Sequence, residues 1–224
     1  MADKLMTGDR QGRVLILDGQ FMSALAIVRS LGRQGVYIIL AGPEPRPLAS
    51  YSRYVDEYCC YTDPSDDRQQ FCDQIEQLIR QYQPDLVIPV TEKTLIPLSE
   101  QPERFRALTQ IALPPPEALK TVLDKQATAD IAHALGITTP QSRVVSSAAE
   151  LEQAGRDLGY PLVLKPIQSI SRRTGGQLAV CYAFDSDEAP RVAAPLLEHG
   201  SVVVQEYFQG TGGGIELIAD QGMV

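Results

Sequence analysis

The chain has 224 residues, 44% hydrophobic and 21% charged. That is enough for one or two domains with packed cores, and it excludes long disorder. The formal net charge of -8 argues against nucleic-acid binding through a broad basic surface. The four cysteines, Cys59, Cys60, Cys72 and Cys181, lack metal spacing, and His133 and His199 are the only histidines, so a Cys/His metal centre has almost nothing to be built from.

The opening MADKLMTGDRQGR is polar and has no signal-peptide core, and residues 1–12 are expected to be flexible. No apolar run approaches the roughly 20 residues of a membrane span. With unpaired thiols, this sets the expectation of a cytoplasmic protein with no membrane and no nucleic-acid partner. Val14 to Leu17 reads as a buried strand ending in the turn Asp18-Gly19. Ser23 to Leu31 has helical apolar spacing and is closed by Gly32 and Gly35. Val36 to Ala41 is a second strand, stopped by Gly42-Pro43. Gln69 to Tyr82 is a helix with Phe71, Ile75, Leu78 and Ile79 on one face, and Leu86 to Val90 is a further strand. Apolar strands alternating with helices predict a parallel sheet covered on both faces over residues 13–113.

Pro114-Pro115-Pro116 marks a boundary, and 114–224 is expected to be the second domain. Asp124 caps a helix on which Ala127, Ile131 and Leu135 share a face, with Gly136 as its stop. The strand Arg143 to Val145, the helix Ser147 to Leu158 and the strands Leu162 to Lys165 and Gln177 to Tyr182 follow. A helix from Asp187 to Leu197, with Pro190 in its first turn and Pro195 weakening it, and a strand from Val202 to Gln205 complete the order. Residues 141–208 therefore read as β-α-β-β-α-β, an α+β lobe with an antiparallel hairpin in its middle.

Lys165 ends the apolar strand in YPLVLKP. Alone, it reads as a lysine that reaches solvent past the core. Its setting changes that. The following SISRRTGG is a loop of hydroxyls, arginines and glycines whose N–H groups can cradle phosphate, although a plain hairpin turn would read the same way. VVVQEYFQG then leaves the sheet with an aromatic pair, and its backbone can meet a purine edge or simply end a strand.

The ordered set LDK, GYPLVLKP, RTGG and VVVQEYFQG resembles the ATP-grasp superfamily over residues 114–224. Residues 13–113 are similar to the Rossmann-like domain that precedes that fold. Within the superfamily the chain looks most like the carbamoyl-phosphate-synthetase-like carboxylate–amine ligases. The resemblance implies an α/β protein: a Rossmann-like parallel-sheet domain, then an incomplete ATP-grasp fold. It implies ATP as cofactor, with Lys125 and Lys165 on the phosphates. Ser169, Ser171, Arg172, Arg173, Thr174, Gly175 and Gly176 would form the lid over the triphosphate. Gln205, Glu206, Tyr207 and Phe208 would be the adenine hinge, and either Glu216 or Thr211 would hold the ribose or the ribose would be held loosely. The activity implied is attack of a carboxylate on the γ-phosphate, then of an amine on the acyl phosphate, both substrates being unidentified. The family's Mg²⁺ ligands are not matched, because the sequence stops at Val224. The expectation is therefore a truncated chain that binds nucleotide but is inactive, with no metal ligands and no catalytic residue of its own. A non-catalytic nucleotide-binding module is the alternative. The strand Ile215 to Ala219 would leave an exposed edge, a candidate homodimer contact.

The first domain says less. LILDGQF carries one glycine and an aspartate where a dinucleotide pyrophosphate needs glycines and no anion, which counts against an NAD-type dehydrogenase. Asp18, Gly19, Thr91 and Glu92 fall at strand ends, where an acceptor could bind, but Thr91 reads equally as a helix cap. Arg53 could meet a carboxylate or form a surface ion pair.

Overall fold

The computed structural model describes residues 11–167, 178–214 and 217, with the backbone alone for Lys125 and Gln126. The chain divides into two compact units, residues 1–120 and 121–224. The division falls within a helix, past the proline run.

The first unit contains β1 (Arg13–Ile16), α1 (Met22–Arg33), β2 (Tyr37–Gly42), β3 (Glu57–Cys60), α2 (Arg68–Tyr82), β4 (Leu86–Ile88), α3 (Glu92–Ser99), α4 (Pro102–Arg106) and β5 (Gln110–Ile111). Its strands form a parallel sheet in the order β3-β2-β1-β4-β5. Alternation along the strands divides the core between two faces. Val14, Ile16, Ile38 and Leu40 pack with Ala24, Leu25 and Val28 of α1. Leu15, Leu17, Ile39 and Val87 pack with Phe71, Ile75 and Ile79 of α2, Leu98 of α3 and Phe105 of α4. Both faces are covered, and this is why the strands read as unbroken apolar runs. Asp67 caps α2 by accepting from the Gln70 N–H at 2.9 Å.

The helix α5 (Pro116–Leu123) leads into the second unit. That unit contains α6 (Lys125–Ala134), β6 (Ser142–Val145), α7 (Ala148–Leu158), β7 (Leu162–Pro166), β8 (Cys181–Ala183), α8 (Glu188–Leu197) and β9 (Val202–Glu206). Its four-stranded sheet has the order β6-β9-β7-β8, and all its neighbours are antiparallel. The β-α-β-β-α-β order is present. The third strand is shorter than its sequence suggests, beginning at Cys181 rather than Gln177, and Gln177 lies outside the described residues. The helices α7 and α8 cover one face through Leu151, Ala154, Ala189, Ala193 and Leu196 against Val145, Leu162, Leu164, Val202 and Val204. Ser147 caps α7 by accepting from the Glu150 N–H, and the Glu150 carboxylate accepts in return from the Ser146 N–H at 2.6 Å, a reciprocal pair. Asp124 caps α6 through the Ala127 N–H at 3.0 Å, and Gly136 takes a positive φ of 73° at its end. The apolar side of α6 stays open, with Ile131 and Leu135 exposed.

Candidate functional site

Lys165 and Gln205, two of the residues singled out in the sequence, lie on the face of the second sheet turned away from α7 and α8. Strand alternation and register decide which residues lie on it. Ser142, Gln205, Val163 and Tyr182 form one cross-strand row, and Val144, Val203 and Lys165 form the next. Arg143, between Ser142 and Val144, points the other way and pairs with Asp157 of α7 at 3.1 Å. Lys165 is half-buried, and its ammonium donates to Gln205 Oε1 at 2.7 Å. This contact joins residues 40 apart in sequence on neighbouring strands. Its donor is a cation held in a defined direction over an apolar floor of valines.

Beyond β9 the chain stays beside β7 for one more residue, since the Tyr207 N–H donates to Pro161 O at 3.2 Å. The Glu206 side chain is engaged locally. Its carboxylate accepts from the Gln141 N–H at 2.9 Å, and its own N–H donates to Gln141 O at 3.0 Å. This pair closes the β6–β9 ladder. Tyr207 and Phe208 are exposed. The Tyr207 ring meets that of Tyr182 edge to face, with centroids 6.0 Å apart.

The predicted residues thus fall into three groups. Lys165 and Gln205 are brought into direct contact, with Glu206, Tyr207 and Phe208 following in one continuous segment. Lys125 is the first residue of α6, and its side chain is outside the described residues. Ser169, Ser171, Arg172, Arg173, Thr174, Gly175, Gly176 and Glu216 lie outside the described residues, as does all of Ile215 to Ala219 except Leu217. Thr211 is exposed. Sequence reasoning missed Tyr182, Val163 and Val144 on the open face. The signal was the two-residue alternation of Val203, Gln205 and Tyr207, which marks one face of β9.

In the first unit, Asp18 does not line an acceptor site. It is 1% exposed, and its Oδ2 accepts from the Val90 N–H at 3.0 Å, the Thr91 N–H at 2.8 Å and the Thr94 hydroxyl at 2.6 Å. The Tyr61 hydroxyl donates to Oδ1 at 3.2 Å. Burial and the neighbouring Asp18 charge push the Tyr61 phenol well above its usual range. Thr91 stands at the N-cap of α3, but its side chain makes no capping bond; the Asp18 carboxylate holds the approach to the helix through the Val90 and Thr91 N–H groups. Arg53 meets neither a carboxylate nor an ion-pair partner among the described residues and instead donates to the Tyr54 hydroxyl at 2.8 Å.

Among the described residues no three His, Cys, Asp or Glu side chains are grouped to hold a metal. All four cysteines are free, and no helix among the described residues is long and apolar enough to cross a membrane.

No family model matches the chain. In sequence it is similar to the carbamoyl phosphate synthase large chain of Methanosarcina acetivorans, 26% identical over 153 residues, which are 66% of this chain and 14% of that protein. It is also similar to the formate-dependent phosphoribosylglycinamide formyltransferase of Nitratiruptor sp., 38% identical over 139 residues, 61% of this chain and 34% of the relative. In fold it is similar to the N5-carboxyaminoimidazole synthetase from Staphylococcus aureus complexed with ADP. That match has a TM-score of 0.62 and 15% identity, and covers 88% of this chain and 48% of the other. The chain therefore spans less than half the length of each of these proteins.

Proposed function

We propose that the chain is a part of an ATP-grasp protein, and that its second unit is the nucleotide-binding part of an ATP-dependent carboxylate–amine ligase; the likeness to the relatives above in sequence and in fold supports this. The observation that carries this reading is the Lys165–Gln205 contact on the open sheet face. A half-buried ammonium beside an apolar floor can meet phosphate oxygens, and the valines can carry a flat base. The synthetase from Staphylococcus aureus, similar in fold, was found with ADP, which supports a nucleotide as the ligand.

In the reaction of the whole protein, a substrate carboxylate oxygen attacks the γ-phosphorus and the bond to ADP breaks. An amine then attacks the acyl carbon, and inorganic phosphate leaves. Phosphoryl transfer needs positioning and dispersed positive charge more than covalent help from the protein. Lys165 supplies a fixed positive charge, and the Gln205–Phe208 segment supplies backbone groups for the base. Lys125 and the Ser169–Gly176 loop complete the proposed phosphate contacts.

Calorimetric titration with ATP tests this. The chain should bind ATP, and Lys165→Ala should weaken binding by about tenfold or more, the scale of one charge-assisted hydrogen bond. Lys120→Ala, which removes an exposed lysine from the first unit, should change nothing. Equal effects of the two substitutions would refute the phosphate role of Lys165.

A further inference from the structure

The Tyr182–Tyr207 pair has no role in the fold's main cores. Tyr182 lies on β8 and Tyr207 just past β9, the two strands that flank β7. Rings from these strands, with centroids 6.0 Å apart at an interplanar angle of 77°, can meet only over the open face of β7. Beneath them lies Val163, which is 8% exposed although it faces away from both helices. Val163 sits in the register row between Gln205 and Tyr182 and two residues before Lys165. Yet Tyr182 and Tyr207 remain 47% and 42% exposed, and neither hydroxyl has a hydrogen-bond partner among the described residues. An edge-on contact also leaves π-faces uncovered.

We propose that Tyr182 is the base-stacking residue of this nucleotide site, and that its edge contact with Tyr207 is what a purine replaces. The inference rests on the nucleotide reading above and deepens it by naming how the base is recognised. Any nucleobase has a π-face, so a stack of this kind selects for a flat aromatic group rather than for a particular base edge. The position fits a ligand that reaches from an aromatic wall at one end to the Lys165 ammonium at the other. An inorganic polyphosphate would use only the lysine end.

The experiment compares ATP with inorganic tripolyphosphate on the full chain and on its Tyr182→Leu and Tyr182→Phe forms. Tyr182→Leu should weaken ATP by about tenfold, the scale of one base-on-aromatic stack, and leave tripolyphosphate unchanged. Tyr182→Phe keeps the ring and should bind ATP as the unaltered chain does. The chain contains no tryptophan, so its tyrosine emission can be followed directly. ATP should quench that emission, tripolyphosphate should not, and the quench should shrink in Tyr182→Phe although affinity is kept. This second readout does not depend on Tyr182→Leu being stably folded. Full ATP affinity in Tyr182→Leu, or equal losses for both ligands with an undiminished quench in Tyr182→Phe, would overturn the stacking role while leaving the nucleotide site intact. Failure of the unaltered chain to bind either ligand would instead sink the nucleotide reading, and the stack with it.

Discussion

Asp18 shows how much one side chain can organise. Its carboxylate lies at the end of β1 and takes two backbone N–H groups and one hydroxyl from the turn that starts α3. A buried carboxylate at a helix N-terminus is stabilised by those donors and by the helix dipole. Asp18→Ala leaves two amides without partners in a buried place and should cost about 3 kcal/mol or more. Urea unfolding reads this as a lower midpoint, and a loss below about 1 kcal/mol would contradict the bonding described. Asp18 also has a φ of 61°, a conformation that Asn tolerates, so Asp18→Asn should lose less than Asp18→Ala. The cysteines give a second test at this scale. Burial pushes the thiols of Cys72 and Cys59 up, and Cys72 is fully covered, whereas Cys60 is exposed. Iodoacetamide at mildly alkaline pH should label Cys60 first and reach Cys72 only on unfolding, because the thiolate is the reactive form. Mass spectrometry of timed samples decides it, and early labelling of Cys72 would be the contrary result.

Elements were legible where periodicity and burial agree. The run before Asp18 and the amphipathic face of α2 each match a core cluster, so their patterns were strong. The strand β3 was not foreseen because Glu57–Cys60 is half-buried or exposed throughout and has no apolar signature of a central strand. The helix α3 carries Pro97 inside it, and β5 has only two residues, too short for any period to show. At the site, Lys165 and the segment after β9 could be singled out by residue type and order. Their contact could not, because it depends on the register of β7 against β9 across 40 residues. The Asp18 contacts to the start of α3 were hidden for the same reason: they run from the end of β1 to the segment after β4. Close packing between elements is equally silent in sequence. Gly32 reads there as a helix stop, yet it lies within α1, and a Cβ at that position would run into the Tyr54 side chain. Gly32→Ala should therefore destabilise by about 1–3 kcal/mol despite the better helix propensity of alanine. Thermal unfolding checks this, and a gain in stability would show that Tyr54 can move aside at no cost.

At the scale of the whole chain, each unit has its own hydrophobic core, and this has consequences for how the protein opens. The first sheet is buried on both faces, whereas the second is covered by α7 and α8 on one face and, among the described residues of its own unit, carries no helix on the other. The open face is where a ligand can add cover, so nucleotide should stabilise the second unit by mass action more than the first. Substitutions in one core should likewise act mainly on that unit. Val28→Ala removes two methyl groups from the α1 face of the first core, where the residue is fully buried, and should cost about 2 kcal/mol. Hydrogen exchange followed by mass spectrometry separates the units by their peptides. Val28→Ala should speed exchange in β1, α1 and β2 and leave β7 and β9 protected. ATP should do the reverse, slowing exchange in β7 and β9 first. If Val28→Ala lowered protection in both units equally, the two cores would unfold as a single cooperative body, and the ligand's effect would then spread to β1 and β2 as well.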